Sequence, residues 1–357
     1  MSSAPTPSSS APISDLLTVI ITTSPTPSAP STELIDSVFE SFRAHCPDLL
    51  RCRVIVIFDT YERVGPVPRL KKGQVTEEGA KDFALYKENV KKLVLDSYGC
   101  TQNGDELTQT EGEAEYGYNG RALNVASFTI TKTPDGKVSF VEPAERLGFG
   151  LAVRTALRTA TTPYVWIHQH DWKLVADIPA SPILDVMAAA HDDEEAPVRY
   201  VCLPSVRMLG YAESAHVQDF PNLRAITAKL KKDFPVPSEP DVKVPLTPLF
   251  FWHDKPHVAS REHYLARVFP TRLAIPRGAF IEDTIGHRAR TQMKEQGMWA
   301  RWGCWLYYPG EGRLLCLRHL DGRRWRGTEA EEKLRAEYKE GREEKRNGLG
   351  RDEIKNT

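Results

Sequence analysis

The chain has 357 residues, of which 41% are hydrophobic and 27% charged, which is the composition of an ordinary globular protein. Lysine and arginine number 47 against 48 for aspartate and glutamate, so no overall charge attracts nucleic acid or an anionic membrane. We therefore expect no nucleic-acid partner. The cysteines indicate reduced thiols, because they lack the paired spacing of a zinc site and the density of a secreted disulfide domain. They are Cys46, Cys52, Cys100, Cys202, Cys304 and Cys316.

The N-terminal segment predicts neither export nor membrane insertion. Residues 1–14 are rich in serine, proline and alanine and have no basic region, so we expect a disordered tail. The first apolar run, residues 16–21, is too short for a signal core or a spanning helix. We therefore expect a cytoplasmic protein without an integral membrane segment.

The first predicted elements form a βαβ unit. Residues 16–22 and 53–58 are β-branched apolar runs typical of central parallel strands that are buried on both faces. Between them, apolar residues recur at helical spacing from Leu34 to Phe42. A right-handed crossover is expected. Asp59 follows the second strand directly, where it could serve a site or simply a turn.

Residues 61–143 are predicted to form a long insertion. A helix is expected over 77–97, and Thr133-Pro-Asp-Gly136 has the turn chemistry of a hairpin. A helix over 144–160 then leads into an apolar strand at 164–167.

That strand ends in the polar group His168-Gln-His-Asp171. Open α/β sheets bind ligands at the carboxyl ends of their strands, so the group is a candidate site. The alternative is structural, with Asp171 capping a turn and the histidines serving as ordinary polar groups at the strand end.

The rest of the chain continues the α/β pattern. A polar, proline-punctuated region with a loop is expected over 205–244, and a charged tail over 328–357, which leaves one domain over 15–327. The other predicted elements are helices at 183–190, 259–268 and 278–297 and strands at 198–203, 247–252 and 314–317.

Three segments resemble a GT-A type nucleotide-sugar glycosyltransferase, most closely glycosyltransferase family 2. The first is Leu17-Thr-Val-Ile-Ile-Thr-Thr23 together with Val54-Ile-Val-Ile-Phe-Asp59, which is similar to the family's nucleotide-binding start. The resemblance implies that the loop at Thr22, Thr23 and Ser24 holds the nucleoside and that Asp59 contacts its base or ribose.

The second segment is Leu147-Gly-Phe-Gly150, which is similar to the Gly-Phe-Gly/Ala signature on the helix before the family's metal-binding strand. It implies that Gly148 lies at the nucleotide sugar. The family usually has asparagine two residues before the first glycine, where this chain has Arg146, so a nucleotide contact is expected from Arg146.

The third segment is Gln169-His170-Asp171, at the place of the family's Asp-x-Asp motif, with Gln169 in place of the first acid. The resemblance implies a divalent cation, Mn²⁺ or Mg²⁺, that stabilises the leaving diphosphate. Asp171 is the expected ligand, with His170 beside the nucleotide sugar. His319 is a further candidate ligand, and Asp321, Arg323 and Arg324 are candidate diphosphate contacts.

Glu282-Asp283 resembles the family's acceptor-side pair of acids. The resemblance implies that Asp283 is the base that deprotonates the attacking hydroxyl, with Glu282 beside it. The alternative is structural, because acids in the first turn of a helix interact favourably with its dipole. Trp302 and Trp305 are expected either to stack on a sugar acceptor or to pack in the core.

We therefore predict an α/β fold of GT-A type, with a mostly parallel central sheet flanked by helices and a small C-terminal β element. The expected activity is metal-assisted, inverting transfer of a hexosyl or deoxyhexosyl group from a nucleotide-sugar donor to the hydroxyl of a glycan, a lipid-linked acceptor or a small molecule. Two alternatives remain. Gln169 favours a non-catalytic nucleotide-sugar binding protein, whereas a nucleotidyltransferase needs glycine and lysine in the loop at 23–30, which has neither.

Overall fold

The computed structural model describes residues 11–100, 107–118, 124–334 and 336–337. Ile13–Leu16 form a helical turn in which Ile13 is buried, so any disordered tail ends before Ile13. The rest of the predicted N-terminal tail, residues 1–10, and most of the predicted charged tail, residues 338–357, lie outside the described residues. Among the described residues, none of the helices combines the length and apolarity needed to cross a bilayer.

The helices of the described chain are α1 Ile13–Leu16, α2 Glu33–His45, α3 Glu77–Ser97, α4 Phe149–Thr159, α5 Ala180–Ala189, α6 Ala215–Gln218, α7 Pro221–Leu230, α8 Arg261–Arg267, α9 His287–Glu295, α10 Trp299–Trp302 and α11 Pro309–Gly312. The strands are β1 Leu17–Thr23, β2 Arg53–Phe58, β3 Arg63–Val64, β4 Gln74–Val75, β5 Thr108–Glu115, β6 Val125–Lys132, β7 Val138–Pro143, β8 Tyr164–Gln169, β9 Trp172–Leu174, β10 Tyr200–Cys202, β11 Lys232–Val236, β12 Glu239–Pro248, β13 His257–Ser260, β14 Cys304–Tyr307 and β15 Leu317–His319.

Within the described residues, the central sheet has 11 strands in the order β11-β12-β14-β10-β13-β8-β1-β2-β7-β6-β5. The strands β8, β1, β2 and β7 run parallel, as do β10 and β14. The other neighbours pair antiparallel, because β13 inserts between β8 and β10 and hairpins extend both edges. The predicted α/β class is confirmed, but the sheet is mixed rather than mostly parallel.

The small C-terminal β element expected from the sequence is β15, which pairs with β9 in a separate two-stranded sheet. The loop expected over 205–244 is instead largely regular, because α6, α7, β11 and much of β12 fall within it. Because proline is depleted in strands, the sequence pattern did not predict β11. Pro235 is tolerated there because β11 is an edge strand.

The register of the central strands sets the position of the polar residues that follow them. Every residue of β1 is buried, and Thr23 of β1 lies opposite Phe58 of β2, while Thr22 lies opposite Gln169 of β8. Ser24, Asp59 and His170 therefore leave the sheet side by side at its carboxyl edge. β10 runs in the same direction as β8, because β13 is antiparallel to both.

A close backbone contact holds the start of α4 against a later segment. A Cβ atom on Gly148 would lie 2.3 Å from Gly278 Cα, and Gly148 has a φ of +78°. A Cβ atom on Gly150 would lie 2.2 Å from Ile275 Cδ1, and Gly278 N–H donates to Leu147 O at 2.8 Å. The Gly-Phe-Gly motif therefore has a packing function in this fold.

We expect Gly148→Ala to destabilise the protein far more than Gly99→Ala. Both glycines have a positive φ, but nothing lies within 4 Å of a Cβ atom on Gly99. Gly99→Ala should therefore cost only the strain of a left-handed alanine, about 1–2 kcal/mol. Gly148→Ala adds a clash with backbone and should cost at least about 3 kcal/mol in total. Urea unfolding of the two variants measures this difference, and equal losses would contradict the packing function.

Candidate functional site

A cavity of about 800 Å³ lies at the carboxyl edge of the parallel strands, a volume in the range of small-molecule sites. It brings together residues from both halves of the chain. The predicted site residues that line it are Thr22, Thr23, Ser24, Asp59, Arg146, His170, Asp171, Glu282, Asp283 and His319.

The carboxylate of Asp59 holds the start of α4. Its Oδ1 accepts the backbone N–H of Leu147 at 2.7 Å, and its Oδ2 accepts that of Gly148 at 3.0 Å. Burial raises the pKa of Asp59 to about 6, although these two hydrogen bonds oppose the shift. Arg146 precedes this turn and lines the cavity, whereas Gly148 contributes through its bond to Asp59.

His170 is held by a buried hydrogen-bond network at the end of β8. Its Nδ1 lies 2.6 Å from Thr23 Oγ1 and accepts the backbone N–H of Ser24 at 3.4 Å. Thr23 Oγ1 lies in turn 2.9 Å from the hydroxyl of Tyr86. Burial lowers the pKa of His170, so the imidazole is neutral, with its proton on Nε2. Tyr86 of α3 therefore belongs to this network.

Asp171 is the most strongly acidic group on this side of the cavity. Its Oδ2 lies 3.2 Å from His319 Nε2 and accepts the backbone N–H of Gly322 at 3.1 Å. Burial acts to raise the pKa of Asp171, but the hydrogen bond from His319 and the nearby imidazoles lower it to about 2. The ring of His319 also packs on Trp172, with centroids 4.7 Å apart. Asp171 is therefore ionised across the physiological pH range.

The residues around Asp171 can supply part of a cation site. Its Oδ1 is buried and has no hydrogen-bond partner, so this oxygen is available to a metal ion. The described residues contain no group of three or more His, Cys, Asp or Glu side chains placed to hold a metal. Mg²⁺ and Mn²⁺ retain water and phosphate oxygens as ligands. Asp171 with His319 therefore fits a cation whose other ligands come from substrate and water.

A second group of acids lies where the helix of residues 282–295 begins. Asp254 N–H donates to Glu282 Oε2 at 3.3 Å, and Glu282 N–H donates to Asp254 Oδ2 at 3.2 Å. Burial raises the pKa of Asp254 well above its usual value. The side chain of His253 lowers the pKa of Glu282 to about 2. Asp283 is exposed at the cavity and bonds to no described residue, which leaves its carboxylate free.

The sequence did not single out Asp254, although it lies two residues after the apolar run 247–252. Its contact with Glu282 depends on a π-helical turn, Glu282–Gly286, a distortion often found at functional sites. A Cβ atom on Gly286 would lie 2.5 Å from Phe251 Cε1 and 2.7 Å from Trp252 O. Only glycine allows the turn to approach the segment that carries Asp254.

Trp302 and Trp305 lie in the core and do not line the cavity. Trp302 Nε1 donates to Gln292 Oε1 at 3.0 Å, and Trp305 Nε1 donates to Pro197 O at 2.8 Å. With both indoles fully buried, neither can take the acceptor role expected from the sequence. Phe149, Trp172 and Phe280 are aromatic residues that do line the cavity.

The three residues predicted to contact the diphosphate do not all line the cavity. Asp321 and Arg323 line the cavity, and the Arg323 guanidinium lies 5.5 Å from the ring centroid of Phe280. Arg324 is exposed outside the cavity, where its Nε lies 3.6 Å from Asp321 Oδ2.

No protein-family model matches the sequence, and no curated protein matches it. Among solved structures, the chain is similar to a mannosyltransferase from Pyrobaculum calidifontis in complex with GDP-Man and Mn²⁺, with a TM-score of 0.35 and 14% identity over 83% of this chain and 58% of that chain. It is also similar to glucosyl-3-phosphoglycerate synthase from Mycobacterium tuberculosis in complex with Mn²⁺, UDP and glucosyl-3-phosphoglycerate, with a TM-score of 0.32 and 12% identity over 84% of this chain and 83% of that chain. At these TM-scores individual site residues do not correspond, so their roles rest on contacts within this chain.

The pH dependence of stability tests the state of Asp59. Its pKa is about 6 in the fold, against an ordinary value of 3.8 for aspartate. Between these values the folded protein holds a proton that the unfolded chain has lost. The contribution of Asp59 to stability is therefore full below about pH 4 and is lost as the pH rises through about 6.

Asp59→Asn removes this titration and also presents an amide donor to a backbone N–H, which costs about 1–3 kcal/mol. We expect the wild-type protein to be the more stable at about pH 4, with an advantage over the variant that shrinks as the pH rises to about 7. Urea unfolding across this range measures the difference. If the free energies of unfolding of the two proteins change equally with pH, the pKa of Asp59 is not raised in the fold.

Proposed function

We propose that this protein is a GT-A type glycosyltransferase that moves a hexosyl or deoxyhexosyl group from a nucleotide-sugar donor to an acceptor hydroxyl, with inversion. The observation that carries the proposal is that one cavity is lined by two carboxylates in different environments. Asp171 has a buried, unpaired oxygen beside a histidine, and Asp283 is a free, exposed acid. Such a division suits a reaction that needs charge stabilisation at one end and a base at the other.

The donor is assigned to the edge formed by β1, β2 and β8. The loop at Thr22, Thr23 and Ser24 lies beside Asp59, which is where a nucleoside fits in a doubly wound sheet. In the proposed complex, the neutral His170 donates from Nε2, and Arg146 extends beside the nucleotide. The diphosphate then lies between Asp171, His319 and Arg323.

A divalent cation bound at Asp171 and His319 would neutralise charge on the leaving diphosphate. Arg323 serves the same end as a permanent cation, whereas His319, whose pKa is raised by its hydrogen bond to Asp171, has to lose its proton before it can bind the metal. Asp171 also orients His319 through the contact at Oδ2.

Asp283 is the proposed base. It takes the proton of the acceptor hydroxyl while the oxygen bonds to the anomeric carbon, and the bond from that carbon to the diphosphate oxygen breaks. Attack on the face opposite the leaving group inverts the anomeric centre. Glu282 and Asp254 are assigned to holding the π-helical turn, since each bonds to the backbone of the other.

A non-catalytic nucleotide-sugar binding protein is the second candidate. The observation in its favour is the hydrogen bond of Gln169, whose amide donates to Asp254 O at 2.9 Å. This side chain therefore adds no second carboxylate beside Asp171. Binding without turnover distinguishes this candidate from the enzyme.

We expect Asp283→Asn to lower the rate of sugar transfer by about 10²–10⁴-fold, because a general base contributes on that scale, while donor binding persists. Asp177→Asn is the matched control, since Asp177 is 90% exposed and lies outside the cavity. Release of nucleoside diphosphate with UDP and GDP sugars, with and without acceptors, measures the rates. Full activity in Asp283→Asn would remove this residue from the mechanism.

Asp171→Asn should weaken the binding of nucleotide sugar in the presence of Mn²⁺, because it removes the charged ligand beside His319. Titration calorimetry with UDP and GDP sugars, in Mn²⁺ and in EDTA, measures this effect in the wild type and the variant. Tight binding by a wild-type protein that releases no product would favour the non-catalytic candidate. Identical affinities in Mn²⁺ and EDTA would argue against a cation at Asp171.

A further inference from the structure

Three cationic side chains lie on adjacent segments at one side of the cavity. Arg207 follows β10, Lys255 precedes β13, and Arg318 lies in β15, and all three line the cavity. The backbone joins these segments, because Leu203 N–H donates to Pro256 O at 3.1 Å and Leu317 N–H donates to Pro204 O at 3.0 Å. We call these three residues the basic rim.

The basic rim is not neutralised by ion pairs. No described carboxylate lies within ion-pair distance of Arg207, Lys255 or Arg318, and the contact of Lys255 Nζ is to His253 Nδ1 at 3.2 Å. Burial lowers the pKa of His253 to about 4, so this imidazole is neutral and does not compensate the ammonium charge. The rim therefore presents unpaired cations to the cavity.

The carboxyl groups nearest the basic rim do not neutralise its positive charge. Asp254 Oδ2 accepts the backbone N–H of Glu282 at 3.2 Å, and Glu282 accepts Asp254 N–H and contacts His253 at 3.5 Å. Lys255 does act on Glu282 at longer range, since it helps to lower the pKa of that acid. Asp283 remains as the free carboxylate, so an oxyanion held here would sit close to the proposed base.

The donor has cations of its own elsewhere in the cavity. His319 and Arg323 lie beside Asp171, and Lys71 and Arg146 lie on the nucleotide side. The diphosphate therefore does not require the basic rim. An arginine fork with a neighbouring ammonium is the arrangement that proteins use to bind phosphate or carboxylate.

We infer that the basic rim binds an oxyanion of the acceptor, so that the acceptor is a hydroxyl compound carrying a phosphate or a carboxylate. This inference rests on the proposed glycosyl transfer, because it places the acceptor hydroxyl at Asp283. A group held at Arg207 and Lys255 would fix the distance between the anion and the hydroxyl that reacts.

The test compares glycerol, glycerate and glycerol 3-phosphate, which share hydroxyl groups and differ in the anion. We expect calorimetry to detect binding of the anionic compounds and weaker or no binding of glycerol. Arg207→Ala should weaken the binding of the preferred anion by at least about tenfold, the loss of one charge-assisted hydrogen bond. Arg207→Lys should restore part of it. Arg313→Ala is the control, because Arg313 is exposed outside the cavity.

Two results overturn the inference. One is equal binding of glycerol and both anions, and the other is an equal effect of Arg207→Ala and Arg313→Ala. Preference for glycerate over glycerol 3-phosphate, or the reverse, identifies the anion.

Nucleotide-sugar binding by the same preparations separates this inference from the proposed function. If the donor binds and the anions bind no better than glycerol, the inference alone fails. If the anions bind through Arg207 while neither UDP nor GDP sugars bind, the proposed transfer fails and the oxyanion site stands.

Discussion

Burial of the central strands on both faces determines where polar chemistry can occur in this protein. Every residue of β1 is buried, and β2 and β8 are nearly so. Their backbone groups are paired between neighbouring strands, as burial without water requires. The first positions free of this requirement are those that follow each strand, and the parallel register aligns Ser24, Asp59 and His170 there. The cavity lies at this edge for that reason.

The acids around the cavity are held by different hydrogen-bond partners, which gives them different roles. Asp59 is held by two backbone N–H groups, Asp171 by an imidazole and a backbone N–H, and Asp254 by the backbone N–H of Glu282. Their pKa values move in opposite directions as a result. Pairs of acids whose environments separate their pKa values are characteristic of sites that need both a fixed charge and a proton acceptor. In the proposed reaction Asp171 supplies the fixed charge, and Asp283 is assigned as the base from its exposed position at the cavity.

The parts that could be predicted from the sequence are those that depend on local pattern. The apolar runs that precede Asp59 and the group of residues 168–171 identify central strands, and a residue at a strand end must lie at the sheet edge. Asp254 could not be identified in this way, because its importance depends on a contact with Glu282 that Gly286 permits. The spacing of Trp302 and Trp305 is likewise the same whether the indoles are covered or exposed. Only the packing of the surrounding chain decided that they are buried.

Gln169 shows how one replacement changes both halves of the cavity. Its amide donates to the carbonyl of Asp254, which an aspartate could not do because a carboxylate has no donor and would face that oxygen with like charge. The position therefore links the end of β8 to the segment that bears Asp254. It also leaves Asp171 as the carboxylate at this strand end, so less negative charge opposes the leaving diphosphate. In the proposed site, Arg323 adds positive charge at the same place, which compensates for weaker metal ligation by the protein.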